Sequence, residues 1–484
     1  MGKKIRQIGL NAFTKNTVGH QRAGLWRHPG DRARHYKDIE YWQNLAKISE
    51  EGLFDAVFIA DALGVHDVYR GNDIGAIRSA MQVPVNDPLT IATIGAAVTE
   101  HVGFGITAGV FFEHPFPFAR RLSTLDHLTK GRIAWNIVTG YMPSANRNMG
   151  LEVLPHDERY DYADEYMEVI YKLLEGSWED DAVILDRQTG QFADPDKVHH
   201  IGHHGKYFDV PGTHLCEPSI QRTPLLFQAG TSDRGMRFAA THAEATFIAP
   251  RSKEYARTFS RHIREEAVKQ NRDPGSIKIY GLAFVVTDKT QKLAEAKYED
   301  MKRYISQEGA LVGNSAWLGL DLSKIGLDDP IDRLENNSMM LSHVSTLTGS
   351  TTPDGRKWTL RDILSKEGGG PRLVGSGEQV ARWLVEYAEY ADIDGFNLSI
   401  GTVPSTFEDV VHYVVPELQK LGTYKLEYAP GSLRNKLFGN GDRLPDNHIG
   451  SQYRVGGPRS TIDDYAEDTG RIRGQEDNAR QQVN

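Results

Sequence analysis

"VGFGITAGVFFEHPFPFARRLSTLDHLTKGRIAWNIV", Val102–Val138, sets two short apolar runs on either side of a stretch with helical spacing. The runs 102–110 and 132–138 are rich in Val, Ile and aromatic residues, whereas Phe118, Leu122, Leu125 and Leu128 recur at intervals of three and four. Strand, helix and strand in succession form the unit from which parallel sheets are built.

The same alternation extends in both directions. Strand candidates lie at 8–13, 56–61, 102–110, 132–138, 224–230, 245–249, 277–286 and 395–400. Helical stretches lie at about 38–52, 87–101, 116–130, 157–178, 233–243, 252–271, 288–308, 377–390 and 406–421. Eight βα units predict an α/β fold of the TIM-type (β/α)8 class, with its active site at the C-terminal ends of the strands.

Two insertions interrupt the pattern, at about 181–222 after strand 4 and 309–375 after strand 7. The first has hairpin-like alternation. The second, with "GNSAWLGLDL" and "STLTGSTTPDG", reads as loop material and as a lid. A barrel domain over 1–440 is then followed by a polar C-terminal tail, 441–484, expected to be disordered or ordered only against a neighbouring subunit.

Bulk composition excludes several classes. Of 484 residues 39% are apolar and 25% charged, and no apolar run approaches a membrane span. A net charge of −9, without a Lys/Arg cluster interleaved with aromatics, argues against a nucleic-acid surface. The N-terminal "MGKKIRQIGLNAF" lacks the apolar core of a signal peptide and has Arg6 where a myristoylation signal needs Ser or Thr. One cysteine, Cys216, rules out an internal disulfide and fits a reducing compartment, so a cytoplasmic location is expected.

On a barrel, polar residues gather at the strand ends: Asn11, Asp61, Thr107, Asn136 and Thr139. A buried amide such as Asn136 must have its hydrogen bonds supplied, which points to something held beyond the end of its strand. In "QAGTSDRG", 228–235, Gly230 permits close backbone approach, Ser232 can cap a helix, and the new helix offers free N–H groups to an anion. A plain capped turn is the alternative. His156 and Tyr160, where the 157–178 helix begins, are placed to approach the same phosphate.

Absences narrow the chemistry further: no P-loop, HExxH or paired CxxC occurs, and "GFGITAG" misses the GxGxxG spacing. The cluster "HHIGHH", 199–204, sits in an apparent hairpin without a carboxylate shell, so no metal is expected there. His20 follows strand 1 and is better placed to meet a substrate. Phe13, Trp26, Tyr69, Phe111, Phe112, Phe116 and Trp317 suggest a planar, largely apolar pocket.

The blocks "TLDHLTKGRIAWNIVT", "HDERYDYADEYMEV", "GSWEDDAVILD", "KVHHIGHHGKYFDVPG" and "QRTPLLFQAGTSDRG", in this order, resemble the bacterial luciferase-like flavin monooxygenases. The similarity covers about residues 5–440 and is to the subgroup acting on nitrilotriacetate, dibenzothiophene sulfone and dimethyl sulfide. It implies a TIM-type barrel that takes reduced FMN (FMNH2), by diffusion from a separate NADH:FMN oxidoreductase, and reacts it with O2 to a C4a-peroxyflavin. By that resemblance Asp61, Thr107, Asn136 and Thr139 would hold the isoalloxazine ring. His156, Tyr160, Gly230, Ser232 and Arg234 would hold its phosphate, and His20 would steady the peroxide or the substrate.

Trp317 stands where the dibenzothiophene sulfone enzymes carry His, which implies a smaller and less polar pocket. In the N-terminal half "GLNAF…GHQRAGLWRHP" and "ADALGVHDVYRGN" resemble the members of the subgroup that act on dimethyl sulfide, so the resemblance implies a small organosulfur substrate, dimethyl sulfide giving methanethiol and formaldehyde. An aryl sulfone, or an aminocarboxylate met by Arg27, Arg70 and Arg78, is the alternative. The resemblance further implies a homodimer or homotetramer. A deazaflavin-binding or non-catalytic relative on the same barrel is the competing class.

Overall fold

The structure is a computed structural model that describes residues 6–140, 142–250, 252–330, 351–352, 355–365 and 370–460. Among the described residues eleven strands follow in chain order: β1 Gly9–Lys15, β2 Ala56–Ala60, β3 Gly103–Gly109, β4 Ile133–Val138, β5 His203–His204, β6 Asp209–Val210, β7 Leu225–Gln228, β8 Ala245–Ile248, β9 Lys278–Asp288, β10 Arg372–Ser376 and β11 Gly395–Ser399. Eight of them, β1, β2, β3, β4, β7, β8, β9 and β11, close into one parallel barrel, because β11 pairs with both β1 and β9 and β8 also pairs with β9. These are the eight strands expected from the sequence.

Side chains alternate across each strand, so residues of one parity enter the barrel. Phe13, Phe58, Ala134, Leu225, Phe227, Ala245, Tyr280 and Leu282 form a single buried cluster that fills it. The pairing Lys15↔Ala60, the step after Ile59↔Ile106, and Thr107↔Asn136 place Lys15, Ala60, Thr107 and Asn136 in the layer toward the C-terminal ends. Apolar packing therefore gives way to polar groups at the mouth of the barrel.

The opposite end is closed by the chain's C-terminal part. Leu433 enters the interior cluster, and the buried Arg434 guanidinium bonds Glu244 at 2.6 and 2.8 Å and the Thr223 carbonyl at 2.9 Å. Leu444, His448 and Tyr453 are buried as well, so residues 441–460 of the stretch expected to be a tail lie packed on the barrel. Residues 461–484 lie outside the described residues.

The first insertion has the hairpin character expected of it, and the second differs from its expected form. In the first, Trp178 pairs with Val198 and Val183 with Ala193 as an antiparallel arm, followed by the hairpin β5–β6. In the second, the stretch expected as one helix over 288–308 is two helices, Gln291–Lys302 and Gln307–Leu318, and "GNSAW" belongs to the second. Ser306 caps that second helix by accepting from the Gly309 amide, and Gly319 ends it at φ 69°.

Its glycines hid the helix, since glycine disfavours helix, yet they serve close packing. A Cβ on Gly309 would lie 2.3 Å from Ala23 and one on Gly313 2.5 Å from Met81. The short β10, also inside the expected loop, pairs with β9 from Phe284 to Asp288, beyond the Gly281 where β8 stops. Residues 331–350, much of the expected lid, lie outside the described residues. No described helix is long and apolar enough to cross a membrane.

Candidate functional site

A cavity of about 480 Å³ opens at the C-terminal ends of β2, β3 and β4, lined by Asp61, Thr107, Gly109, Phe112, Val138 and Met142 among others. Asn136, 5% exposed, donates to the Thr107 hydroxyl at 3.0 Å, while its own carbonyl oxygen is buried without a partner. An unmet acceptor of that kind costs about 1–3 kcal/mol, so the site is built for a donor that comes from outside the chain. Thr139 lies half-buried one residue past β4, and Gly140 follows at φ 65° with its carbonyl held by the Arg159 guanidinium.

Lys15 enters the same layer from β1. Its ammonium donates to Gln82 Oε1 at 2.9 Å. Burial pulls its pKa down to about 8, with the Asp61 charge opposing that shift. Burial pushes Asp61 up to about 6, against the pull of Lys15. Farther out, Glu113 pairs with Arg121 at 3.2 Å and is raised by burial. Asp61, Asp87, Glu113 and Arg121 line the cleft, with Lys15 bearing on Asp61, so the cleft holds no surplus of positive charge.

One strand away, β4 and β7 run side by side with Ile137 opposite Gln228. The chain leaves β7 through Gly230 and enters the helix Asp233–His242, capped by the Ser232 hydroxyl, which accepts from the Gly235 amide. A Cβ on Gly235 would lie 2.7 Å from the Tyr160 hydroxyl and 3.1 Å from Gly230 Cα. His156 reaches the Ser232 hydroxyl at 3.2 Å. His156, Tyr160, Gly230 and Ser232 therefore converge around a helix N-terminus, an arrangement suited to a phosphate.

Arg234 is turned differently. Its guanidinium pairs with Asp161 at 3.0 Å and Asp164 at 2.5 Å, with its carbon 5.3 Å from the Tyr160 ring centroid. Its charge is already matched, so a phosphate would gain little from it.

His20 packs its ring on Phe13 at 4.8 Å and has a buried Nδ1 without a partner. Burial, with Lys15 and Arg22 adding to it, holds its pKa well below the usual range, so the ring is neutral. Trp317 sits half-buried on the helix Gln307–Leu318 with its ring edge-on to His66 at 6.5 Å. Burial likewise lowers His66, to about 4.

Other expected contributors lie elsewhere. Arg27 bonds the carbonyls of Gly24 and Tyr304, Arg78 pairs with Glu308, and Arg70 is exposed, so none of the three lines the cleft. Of the aromatics, Phe112 lines the cavity, whereas Phe13 fills the barrel, Phe111 stacks on Tyr162 and Tyr69 packs beside Met81. Within "HHIGHH", His199 pairs with Glu179, His203 with Glu165 and His204 with Asp209, each separately. Among the described residues no group of three or more such side chains is placed to hold a metal.

The sequence reading missed Lys15, Gln82 and Gly235. Lys15 was the most accessible of these, because Asn11, Phe13 and Lys15 share one parity in a strand already identified.

The profile of the luciferase-like monooxygenase family matches residues 7–392. Dimethyl-sulfide monooxygenase of Hyphomicrobium sulfonivorans is 50% identical over 454 residues, 93% of this chain and 94% of that protein. Its crystal structure superposes with a TM-score of 0.87, covering 94% of this chain and 97% of that one. The long-chain alkane monooxygenase of Geobacillus thermodenitrificans is 48% identical over 451 residues, 93% of this chain and 98% of that one. A riboflavin lyase structure holding modified FMN and riboflavin superposes with a TM-score of 0.85 at 34% identity, covering 93% of this chain and 100% of that one.

Proposed function

Because the chain belongs to the luciferase-like monooxygenase family, we propose that it is the oxygenase component of a two-component system that uses reduced FMN and O2. The observation that carries this reading is the unpartnered Asn136 carbonyl oxygen, braced by Thr107, one strand from a glycine-lined helix N-terminus. An amide acceptor at one end and an anion site at the other suit a flavin's ring and its phosphate. Reduced FMN bound there would supply the electrons that activate O2.

The chain's own residues do the rest. Asn136, Thr107 and Thr139 orient the ring; Tyr160, Ser232, His156 and the amides after Ser232 take the phosphate. Phe112, Val138 and Met142 keep the cleft apolar and shed water. His20, a neutral ring packed on Phe13 with an unpartnered Nδ1, hydrogen-bonds the reacting oxygen or substrate in this reading. Electrons arrive as FMNH2 from a separate NADH-dependent flavin reductase. The functional unit is a homodimer or homotetramer, which sedimentation velocity measures.

The substrate in this reading is a small, uncharged organosulfur compound, dimethyl sulfide giving methanethiol and formaldehyde. The balance of charge in the cleft supports it, as does the relative that is half identical. An aminocarboxylate would need the cationic wall that Arg27, Arg70 and Arg78 do not form here.

The test is oxygen uptake by purified protein with NADH, FMN and an unrelated flavin reductase, with and without dimethyl sulfide, while formaldehyde and methanethiol are assayed. Both products in step with oxygen support the whole reading. Peroxide alone rejects the sulfide, and the assay moves to n-alkanes and aryl sulfones. No flavin-dependent uptake at all removes the monooxygenase assignment.

A further inference from the structure

We propose that Lys15 is a cofactor-binding residue that selects the reduced, anionic form of the flavin over the oxidised form. The inference rests on the flavin reading above and goes beyond it by naming the residue that discriminates between the two redox states.

The argument begins with register. Lys15 ends β1 on the barrel-facing side, and strand pairing sets it in one layer with Ala60, Thr107 and Asn136. It therefore stands in the ring of residues that also holds the unpartnered Asn136 oxygen. An ammonium carries three donors, and the acceptor the structure gives Lys15 is one neutral amide, Gln82. Among the described residues no carboxylate lies within ion-pair distance of it.

A buried lysine without a direct counter-ion is expensive, and side chains of that kind are rare unless paired. Asp61 faces it from the end of β2, acting through the field and not through contact. The other titratable groups that face Lys15 are His20, from the segment after β1, and His66, from the segment after β2; both are neutral rings. Arg22 bears on His20 but is itself laid on the Phe284 ring, its carbon 3.3 Å from the centroid. Among the described residues, Lys15 is thus the cation of this barrel layer with donors to spare.

Reduced flavin carries a negative charge on its pyrimidine ring at neutral pH, whereas the oxidised ring is neutral. The phosphate is common to both. A cation beside the ring consequently lowers the free energy of one redox state and leaves the other nearly unchanged. This is useful to an enzyme that must take up reduced flavin from solution and let oxidised flavin go.

The test is equilibrium binding, with no turnover. Dissociation constants for reduced FMN, measured anaerobically, and for oxidised FMN are compared in wild type, Lys15→Met and Lys15→Arg. The expected result for Lys15→Met is a loss of about tenfold or more in reduced-flavin affinity, the size of one partly screened charge contact, with oxidised FMN within about twofold. Lys15→Arg keeps the preference. Equal losses for both forms would mean that Lys15 only shapes the pocket or neutralises Asp61, and no loss would mean that it does not face the ring; either result overturns the proposal.

Wild type gives a second reading that needs no variant. From pH 8 to 9.5 reduced flavin stays anionic, Asp61 stays ionised and both histidines stay neutral, so Lys15, lowered to about 8, is the group of this layer that loses charge. The preference for reduced flavin falls over that interval, and a flat preference overturns the proposal. Wild type that binds neither form would instead refute the flavin reading itself.

Discussion

Gly230 and Gly235 face each other across the turn that leaves β7, so closely that a methyl group on Gly230 would come within 2.9 Å of Gly235 Cα. Each is glycine because of the other, and Tyr160 closes the third side. The pair keeps bare backbone at the start of the helix Asp233–His242.

Gly235→Ala is expected to weaken FMN binding by about tenfold with only a small change in thermal stability, since the displaced Tyr160 hydroxyl is offset by alanine's helix preference of about 1 kcal/mol over glycine. Fluorescence titration with FMN alongside a thermal melt separates the two effects. A lower melting temperature with intact binding would show that the methyl group disturbs the fold and not the anion site.

Asn136→Ala and Ser232→Ala probe the two ends of the same cofactor. Each removes one hydrogen-bonding group, and each is expected to cost about 1–3 kcal/mol of FMN affinity, roughly a factor of five to 150. Unchanged affinity in both variants would remove the site as placed here.

Lys15 and Asp61 make a prediction about stability with opposite signs of pH dependence. Asp61 is raised from 3.8 to about 6, so the folded chain holds that proton more tightly and loses stability as pH climbs from near 4 to 6. Lys15 is lowered from 10.5 to about 8, so the unfolded chain holds its proton more tightly and the fold loses stability as pH drops from near 10 to 8. Both costs are present at pH 7. The double variant Lys15→Met/Asp61→Asn is expected to be more resistant to urea at pH 7 by about 1–4 kcal/mol, as found when buried charges give way to neutral side chains. A less stable double variant would show that the two charges contribute net stability.

The barrel was legible because its signal is repetitive: eight short β-rich runs, each followed by helical spacing, leave little room for another architecture. Asn136 and Ser232 could be singled out for the same reason, being polar residues at strand ends and helix starts that local chemistry marks. Arg234 could not be judged, since its partners Asp161 and Asp164 lie about seventy positions away and only packing brings them together. The helix Gln307–Leu318 was hidden by glycines whose purpose is contact with Ala23 and Met81, a fact of tertiary structure. Arg27, Arg70 and Arg78 looked available for a polyanion because composition does not say which way a side chain points.

Arg434→Ala should unfold the protein at markedly lower urea. Its guanidinium is fully buried against Glu244, and removing one partner of such a pair strands the other charge, at about 3–5 kcal/mol. Arg434→Met with Glu244→Gln should recover much of that loss. Failure to recover would place the cost in the lost bonds to the Thr223 and Asp442 carbonyls.

Synthesis runs from N- to C-terminus, and this barrel is finished from the C-terminal side. β1 waits for β11 to give it a second neighbour, and the side chains that stopper the lower end, Leu433 and Arg434, come later still. At roughly 5–20 residues per second, the first strand spends about twenty seconds or more on the ribosome with an open edge. The nascent chain therefore carries a half-made barrel until β11 is made, and the open edge of β1 is the surface that chaperones must cover in the meantime.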